Sequence, residues 1–176
     1  METTKQSSSF SLLLMNLFIG MTKGVVRLPR VFVDLGYACR GVEVRFQNAA
    51  GELVRPELIL GSGLMRHTLA FEWKQGPNTE RDQLRRYGGI LGSDLQAKAL
   101  LPAAECEKHD ITVVGFEEYA DRLALAIDDS NYGFVLVVKT RDGLKKVRNN
   151  FAPPRSLSGI RFPERRINDL QRYGDS

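Results

Sequence analysis

Residues 56 to 74 read PELILGSGLMRHTLAFEWK, and the stretch divides into two apolar runs around Gly61-Ser62-Gly63. In the second run side chains alternate across an extended backbone, so Leu69, Phe71 and Trp73 face one way while Ala70, Glu72 and Lys74 face the other. The apolar set suits a core, which leaves a carboxylate and an ammonium together on the opposite face. The sequence therefore predicts two neighbouring strands, Leu53 to Leu60 and Thr68 to Lys74, with Pro56 marking an irregularity in the first.

If those strands pair, Glu57 comes alongside Glu72. Two carboxylates at one point repel unless a cation lies between them, and oxygen ligands favour a hard ion, Mg²⁺ or Mn²⁺. Such an ion polarises a phosphate and acidifies a bound water, while Lys74 is placed to position that water or to meet charge developing on phosphorus. Phosphodiester hydrolysis follows from these parts. The bland alternative for Glu72 and Lys74 is a salt bridge on a solvated sheet face, which contributes little stability.

Working outward, Val42, Val44 and Phe46 alternate with polar residues and predict a strand, and Asn48 to Gly51 a turn. The close spacing favours an antiparallel meander. Beyond Lys74, Pro77 to Thr79 end the strand region, and Thr79 with Asp82 resembles a capping box for a helix from Glu80 to Tyr87, ended at Gly88-Gly89. A second helix is expected from Ser93 to Leu101, stopped by Pro102, and a buried strand from Ile111 to Phe116. Arg122 to Ile127 and Tyr132 to Lys139 read as two strands, with a helix over Glu117 to Ala126 as the competing assignment. Pro153-Pro154 marks the end of the compact unit.

With Pro56-Glu57, 14 intervening residues and Glu72-Trp73-Lys74 in place, the sequence resembles the PD-(D/E)xK nuclease superfamily. Gln83-Leu84-Arg85-Arg86-Tyr87 is similar to the Q-h-x-x-Y signature of its RecB and lambda-exonuclease branch, with Gln83 and Tyr87 on one helix face. The resemblance implies an α/β fold with a restriction-endonuclease-like core, a small mixed β-sheet flanked by helices. It implies Mg²⁺ or Mn²⁺ held by Glu57, Glu72 and the main-chain carbonyl of Trp73, with Lys74 assisting the attacking water. Gln83 and Tyr87 would then support the site from the following helix, and Arg81, Arg85 and Arg86 would contact the DNA backbone. The sequence departs from the branch in three respects. The first acid is Glu57 where Asp is commoner, with Asp34 as an alternative; the upstream helical acid and Gly-rich motif have no clear counterpart, Asp34 in Val33-Asp34-Leu35-Gly36 being the candidate; and the cysteine cluster of iron–sulfur relatives is missing.

Charge is unevenly distributed. From Lys139 to Ser176 there are 10 Lys/Arg against 4 Asp/Glu, leaving 15 of the 25 basic and 17 of the 21 acidic residues in the first 138 positions. Lys145, Lys146 and Arg148 in this basic stretch can attract phosphates by counterion release, or can be a solvated terminus or a contact for an acidic protein. Cys39 and Cys106 form no metal-ligand spacing, and the chain reads as cytoplasmic. The apolar run from Phe10 to Met21 is too short to cross a bilayer, which takes about 20 apolar residues; a helix packed on the core or a partner is expected, behind a disordered leader at Ser7 to Ser9. His67 and His109 read as surface or satisfied core residues. No phosphate-binding loop or Ser-His-Asp arrangement is present.

The sequence thus predicts an N-terminal leader and apolar helix over 1–24, a nuclease-like domain over 25–150 and a basic tail over 151–176. The expected activity is metal-dependent hydrolysis of DNA in DNA processing, a mobile element or defence, beside a helicase or other subunit. The alternative is a non-catalytic DNA-binding or assembly subunit with the same fold.

Overall fold

The computed structural model describes residues 3–25, 30–74, 76, 81–129, 134–139 and 144–149. Its centre is a six-stranded mixed sheet of β1 (Tyr37–Val42), β4 (Leu58–Ser62), β5 (His67–Trp73), β6 (Lys108–Phe116), β7 (Phe134–Lys139) and β8 (Leu144–Asn149), in that spatial order. A small hairpin of β2 (Phe46–Gln47) and β3 (Leu53–Val54) stands apart from it. β1, β4 and β5 run antiparallel, β5, β6 and β7 parallel, and β8 antiparallel again. Parallel neighbours cannot be joined by a tight turn. The β5-to-β6 crossing accordingly carries α3 (Arg81–Gly88) and α4 (Gly92–Ala97), and the β6-to-β7 crossing carries α5 (Ala120–Asp129).

The period-two pattern of β5 divides the core into two layers. Leu69, Phe71 and Trp73 meet Leu14, Leu17, Phe18 and Met21 of α1 (Thr3–Lys23) and Phe32 of α2 (Val31–Asp34). Phe18 is the centre of this layer, with its ring 4.7 Å from Phe71 and stacked 5.8 Å from Trp73. On the other face Ala70 joins Ile59, Leu84, Tyr87, Leu95, Val113 and Leu123 beneath α3, α4 and α5. Gly115 of β6 lets α5 close on the sheet, because a Cβ there would run into Leu123. The mixed α/β class with a helix-flanked mixed sheet is thus as the sequence predicts.

Several boundaries differ from the sequence reading. Ser7 to Ser9 lie within α1, whose apolar face on the sheet carries the helix through them. The first strand is Tyr37–Val42 and not the Val42 to Phe46 alternation, because Glu43 turns the chain with a left-handed φ of 51°. Arg122 to Ile127 is helical, the competing assignment, as the parallel β6–β7 pairing requires. α4 ends at Ala97, short of Leu101. Thr79 and the 151–176 tail lie outside the described residues.

The α1 face also buries a polar chain. Tyr37, His67 and Asp110 are 2%, 1% and 0% exposed. His67 Nε2 lies 2.9 Å from Asp110 Oδ2, and Nδ1 lies 2.9 Å from Tyr37 Oη. The two ring nitrogens of His67 thus link the Tyr37 hydroxyl to the Asp110 carboxyl. His109 meets the Ile90 carbonyl at 2.8 Å. Both histidines are satisfied within the fold, and neither joins the candidate site. Tyr37→Phe removes the hydroxyl that partners a buried ring nitrogen and is expected to lower stability by about 1–3 kcal/mol. Urea unfolding measures this, and an unchanged midpoint would show the chain to be energetically neutral.

Candidate functional site

Pro56 shapes the site. It has no N–H to offer a ladder, and the first β-segment accordingly splits into β3 and β4 with Arg55, Pro56 and Glu57 between them. Glu57 remains attached to β5 through its own N–H, which donates to the Phe71 carbonyl at 2.9 Å. On this side of β5 the Trp73 N–H, with no strand alongside, is received by the Glu57 carboxylate at 2.5 Å. The irregularity read from the sequence is what turns Glu57 onto β5.

Register then brings the acids together. Leu58 pairs with Phe71 at the end of the antiparallel ladder, and just beyond it Glu57 lies near enough to Glu72 for the Glu72 charge to act on its carboxyl. Lys74 extends β5 by donating its N–H to the Val114 carbonyl at 2.7 Å, which keeps its side chain on the face of Glu72. Lys74 Nζ lies 3.0 Å from Glu72 Oε1. From α3, Gln83 donates Nε2 to the same oxygen at 2.5 Å and accepts from Lys74 Nζ with its own Oε1. The Tyr87 hydroxyl of the same helix lies near enough to Glu72 to feel its charge. Gln83 and Tyr87, one helical turn apart, thus close on one carboxylate.

Burial sets the electrostatics. The Glu57 carboxyl is pushed up to about 8, first by burial and then by the Glu72 charge, against the opposing pull of the Trp73 N–H and Lys74. Burial and Glu72 also raise the Tyr87 hydroxyl above its usual value. A carboxylate pair that resists holding two charges is a setting that a divalent cation relieves. Mg²⁺ is commonly held by one or two carboxylates plus waters and substrate oxygens, and Glu57 with Glu72 fits that pattern. Among the described residues no group of three or more His, Cys, Asp or Glu gathers as a cage. Trp73 has its indole in the α1 layer, so any part it takes here is through its main chain.

Other sequence candidates fall elsewhere. Asp34 is exposed and paired with Arg30, at the end of the sheet where Tyr37 meets Ser62, away from Glu57. Arg85 pairs with Glu52 at 2.6 Å, holding the Glu52 carboxyl below its ordinary value, and so ties α3 to the hairpin. Arg86 is half-buried and its carbonyl accepts from Asn48 Nδ2 at 3.0 Å. Arg81 is the first residue of α3, and its side chain lies outside the described ones. Lys145, Lys146 and Arg148 belong to β8, and their side chains lie outside the described ones.

The sequence reading missed Asn48 and Asp94, which are 1% and 4% exposed. Asn48 binds the Ala50 and Glu52 amides and the Arg86 carbonyl, and Asp94 Oδ2 accepts from the Ala49 and Leu91 amides. Together they fix the α3–α4 connection to the hairpin and so hold Gln83 and Tyr87 over Glu72. The Asn48–Gly51 turn is a visible signal for Asn48, but nothing local to Asp94 announces a partner 45 residues away.

The fold and site define a mixed α/β domain with an acid, acid and lysine centre at one end of the sheet. A family model described as the MJECL32 domain matches residues 11–147, and the chain belongs to that family. The match begins within α1 and ends within β8. No curated protein and no solved structure matches the chain. Among the described residues no helix is long and apolar enough to cross a membrane.

Proposed function

We propose that the chain is a Mg²⁺- or Mn²⁺-dependent nuclease that hydrolyses DNA phosphodiester bonds through Glu57, Glu72 and Lys74. The observation that carries this reading is the closeness of Glu57 to Glu72 at the end of the β4–β5 ladder, with Lys74 and Gln83 on the same Glu72 oxygen. The expected likeness to PD-(D/E)xK nucleases is supported by the same arrangement: Pro56-Glu57 leads into β4, Glu72-Trp73-Lys74 ends the neighbouring β5, and Gln83 of the following helix meets Glu72.

Glu57 and Glu72 would hold the cation, with the Trp73 carbonyl as a third oxygen. When bound, the ion supplies Lewis acidity to a phosphate oxygen and lowers the pKa of a water. Lys74 is anchored between Glu72 and Gln83, which leaves its remaining donor capacity to orient a nucleophile or meet charge on the phosphate. Gln83 and Tyr87 keep Glu72 in one rotamer, so the acid enters the reaction already oriented.

One observation favours the second reading, a non-catalytic nucleic-acid-binding or assembly subunit. Glu57 already caps the Trp73 amide, and Glu72 already accepts from Lys74 and Gln83, so both acids have partners without a metal. Purified protein is therefore to be assayed on linear, nicked, circular and single-stranded DNA with Mg²⁺, Mn²⁺ or EDTA. The nuclease reading expects cleavage that EDTA abolishes. Salt-sensitive binding without cleavage under every metal condition would reject it in favour of the second.

A further inference from the structure

We infer that Arg55 is a phosphate-binding residue of this site, held by Glu43 in the free protein and released to the nucleic-acid backbone on binding. The inference rests on the nuclease reading and deepens it by naming a substrate contact that none of the motifs contains.

The register places Arg55 and Glu43 at the lip of the site. Val42 pairs with Leu58 and Leu58 with Phe71, and Glu43, Glu57 and Glu72 follow these three neighbours at the end of the ladders. Glu43 holds its place by donating its N–H to the Glu57 carbonyl at 3.0 Å. Arg55 stands two residues before Glu57, and Glu43, its ion-pair partner, lies near enough to Glu57 for its charge to act on that carboxyl.

Charge and exposure then favour a movable guanidinium. Arg55 Nη2 lies 2.6 Å from Glu43 Oε2, and both side chains are about half exposed, at 49% and 53%. An ion pair so exposed contributes little stability, whereas an arginine matches a phosphate with two parallel charge-assisted bonds. Lys74, by contrast, is 11% exposed and already engaged by Glu72 and Gln83. A phosphate reaching Glu57 and Glu72 would thus meet Arg55 as a cation at the solvent side, held by a contact weak enough to exchange.

The opposite end of β5 supplies matched controls. Arg66 and Glu107 form a similar exposed pair beside His67, away from Glu57 and Glu72. Binding of labelled DNA is to be measured by anisotropy with Ca²⁺ in place of Mg²⁺, at several salt concentrations, beside Mg²⁺-dependent cleavage and a thermal melt for each variant. Arg55→Ala is expected to weaken binding by about 10-fold or more and to lower the salt slope by about one, while Arg66→Ala leaves both near wild type. Glu43→Gln frees the guanidinium and is expected to tighten binding more than Glu107→Gln, which removes the same charge at the far end. Arg55→Lys, which keeps charge but loses the fork, is expected to recover only part of the affinity. Equal binding by Arg55→Ala and Arg66→Ala, with wild-type cleavage intact, would overturn this inference alone. Absence of metal-dependent cleavage in the wild type would overturn the nuclease reading and this one with it.

Discussion

Glu72→Gln is expected to lower metal-dependent cleavage by at least about 10³-fold while leaving the fold in place. Glu72 is the meeting point of the site, since one oxygen receives both Lys74 and Gln83 and Tyr87 closes on the same carboxylate. An amide of the same shape can still bond these neighbours, but it removes the charge that would hold a cation and balance Lys74. The stability consequence has the opposite sign from that of an ordinary salt-bridge deletion. Glu72 is one cause of the raised Glu57 carboxyl, so neutralising it relieves a like-charge contact in a buried place. The metal-free variant should therefore melt no lower than wild type near pH 8, as is usual where a functional site is held at a stability cost. Cleavage by Glu72→Gln at the wild-type rate would remove the acid from the mechanism. A marked drop in melting temperature near pH 8 would instead identify the residue as a structural ion-pair partner.

The parts of the site that a linear sequence displays are those with local causes. The alternation of Leu69, Phe71 and Trp73 with Ala70, Glu72 and Lys74 survives intact in β5, because a strand between a helical layer on each face needs that period. Pro56 announces the break that frees Glu57, and Gly88-Gly89 the end of α3. What stays hidden depends on phase shifts and distant partners. β1 carries an irregularity between Cys39 and Gly41, which dislocates the alternation that would otherwise reveal it. The Tyr37–His67 and His67–Asp110 contacts span 30 and 43 residues, so the alternation that sets His67 on the face of Leu69 does not show which partners hold it there. The strand-or-helix choice at Arg122 to Ile127 has no local answer and is settled by the parallel β6–β7 pairing, a property of the whole sheet.

In EDTA the protein is expected to lose stability as pH rises from about 5 to about 9, and a divalent cation is expected to restore it only at the upper end. The sign follows from Glu57, whose carboxyl sits at about 8 in the folded chain against 4.5 ordinarily. Between those values the folded chain keeps a proton that the unfolded chain has released, so raising the pH favours unfolding. The group's contribution is complete below the unfolded value and is lost as pH climbs through the folded one. Each tenfold change in proton affinity is equivalent to about 1.4 kcal/mol, and part of the side chain reaches solvent, so the loss is on the order of 2–4 kcal/mol. This corresponds to a fall of roughly 5–12 °C in melting temperature for a chain of this size. A cation between Glu57 and Glu72 competes with that proton, so millimolar Mg²⁺ or Mn²⁺ should add little stability near pH 5.5 and most near pH 8.5. Glu57→Gln keeps an oxygen to receive the Trp73 amide but cannot ionise, and it should flatten both the pH profile and the metal response. Differential scanning fluorimetry of both proteins across this range, with and without metal, measures these responses. Parallel profiles for wild type and Glu57→Gln would mean that the two carboxylates do not share a charge, and the cation site would fall with them.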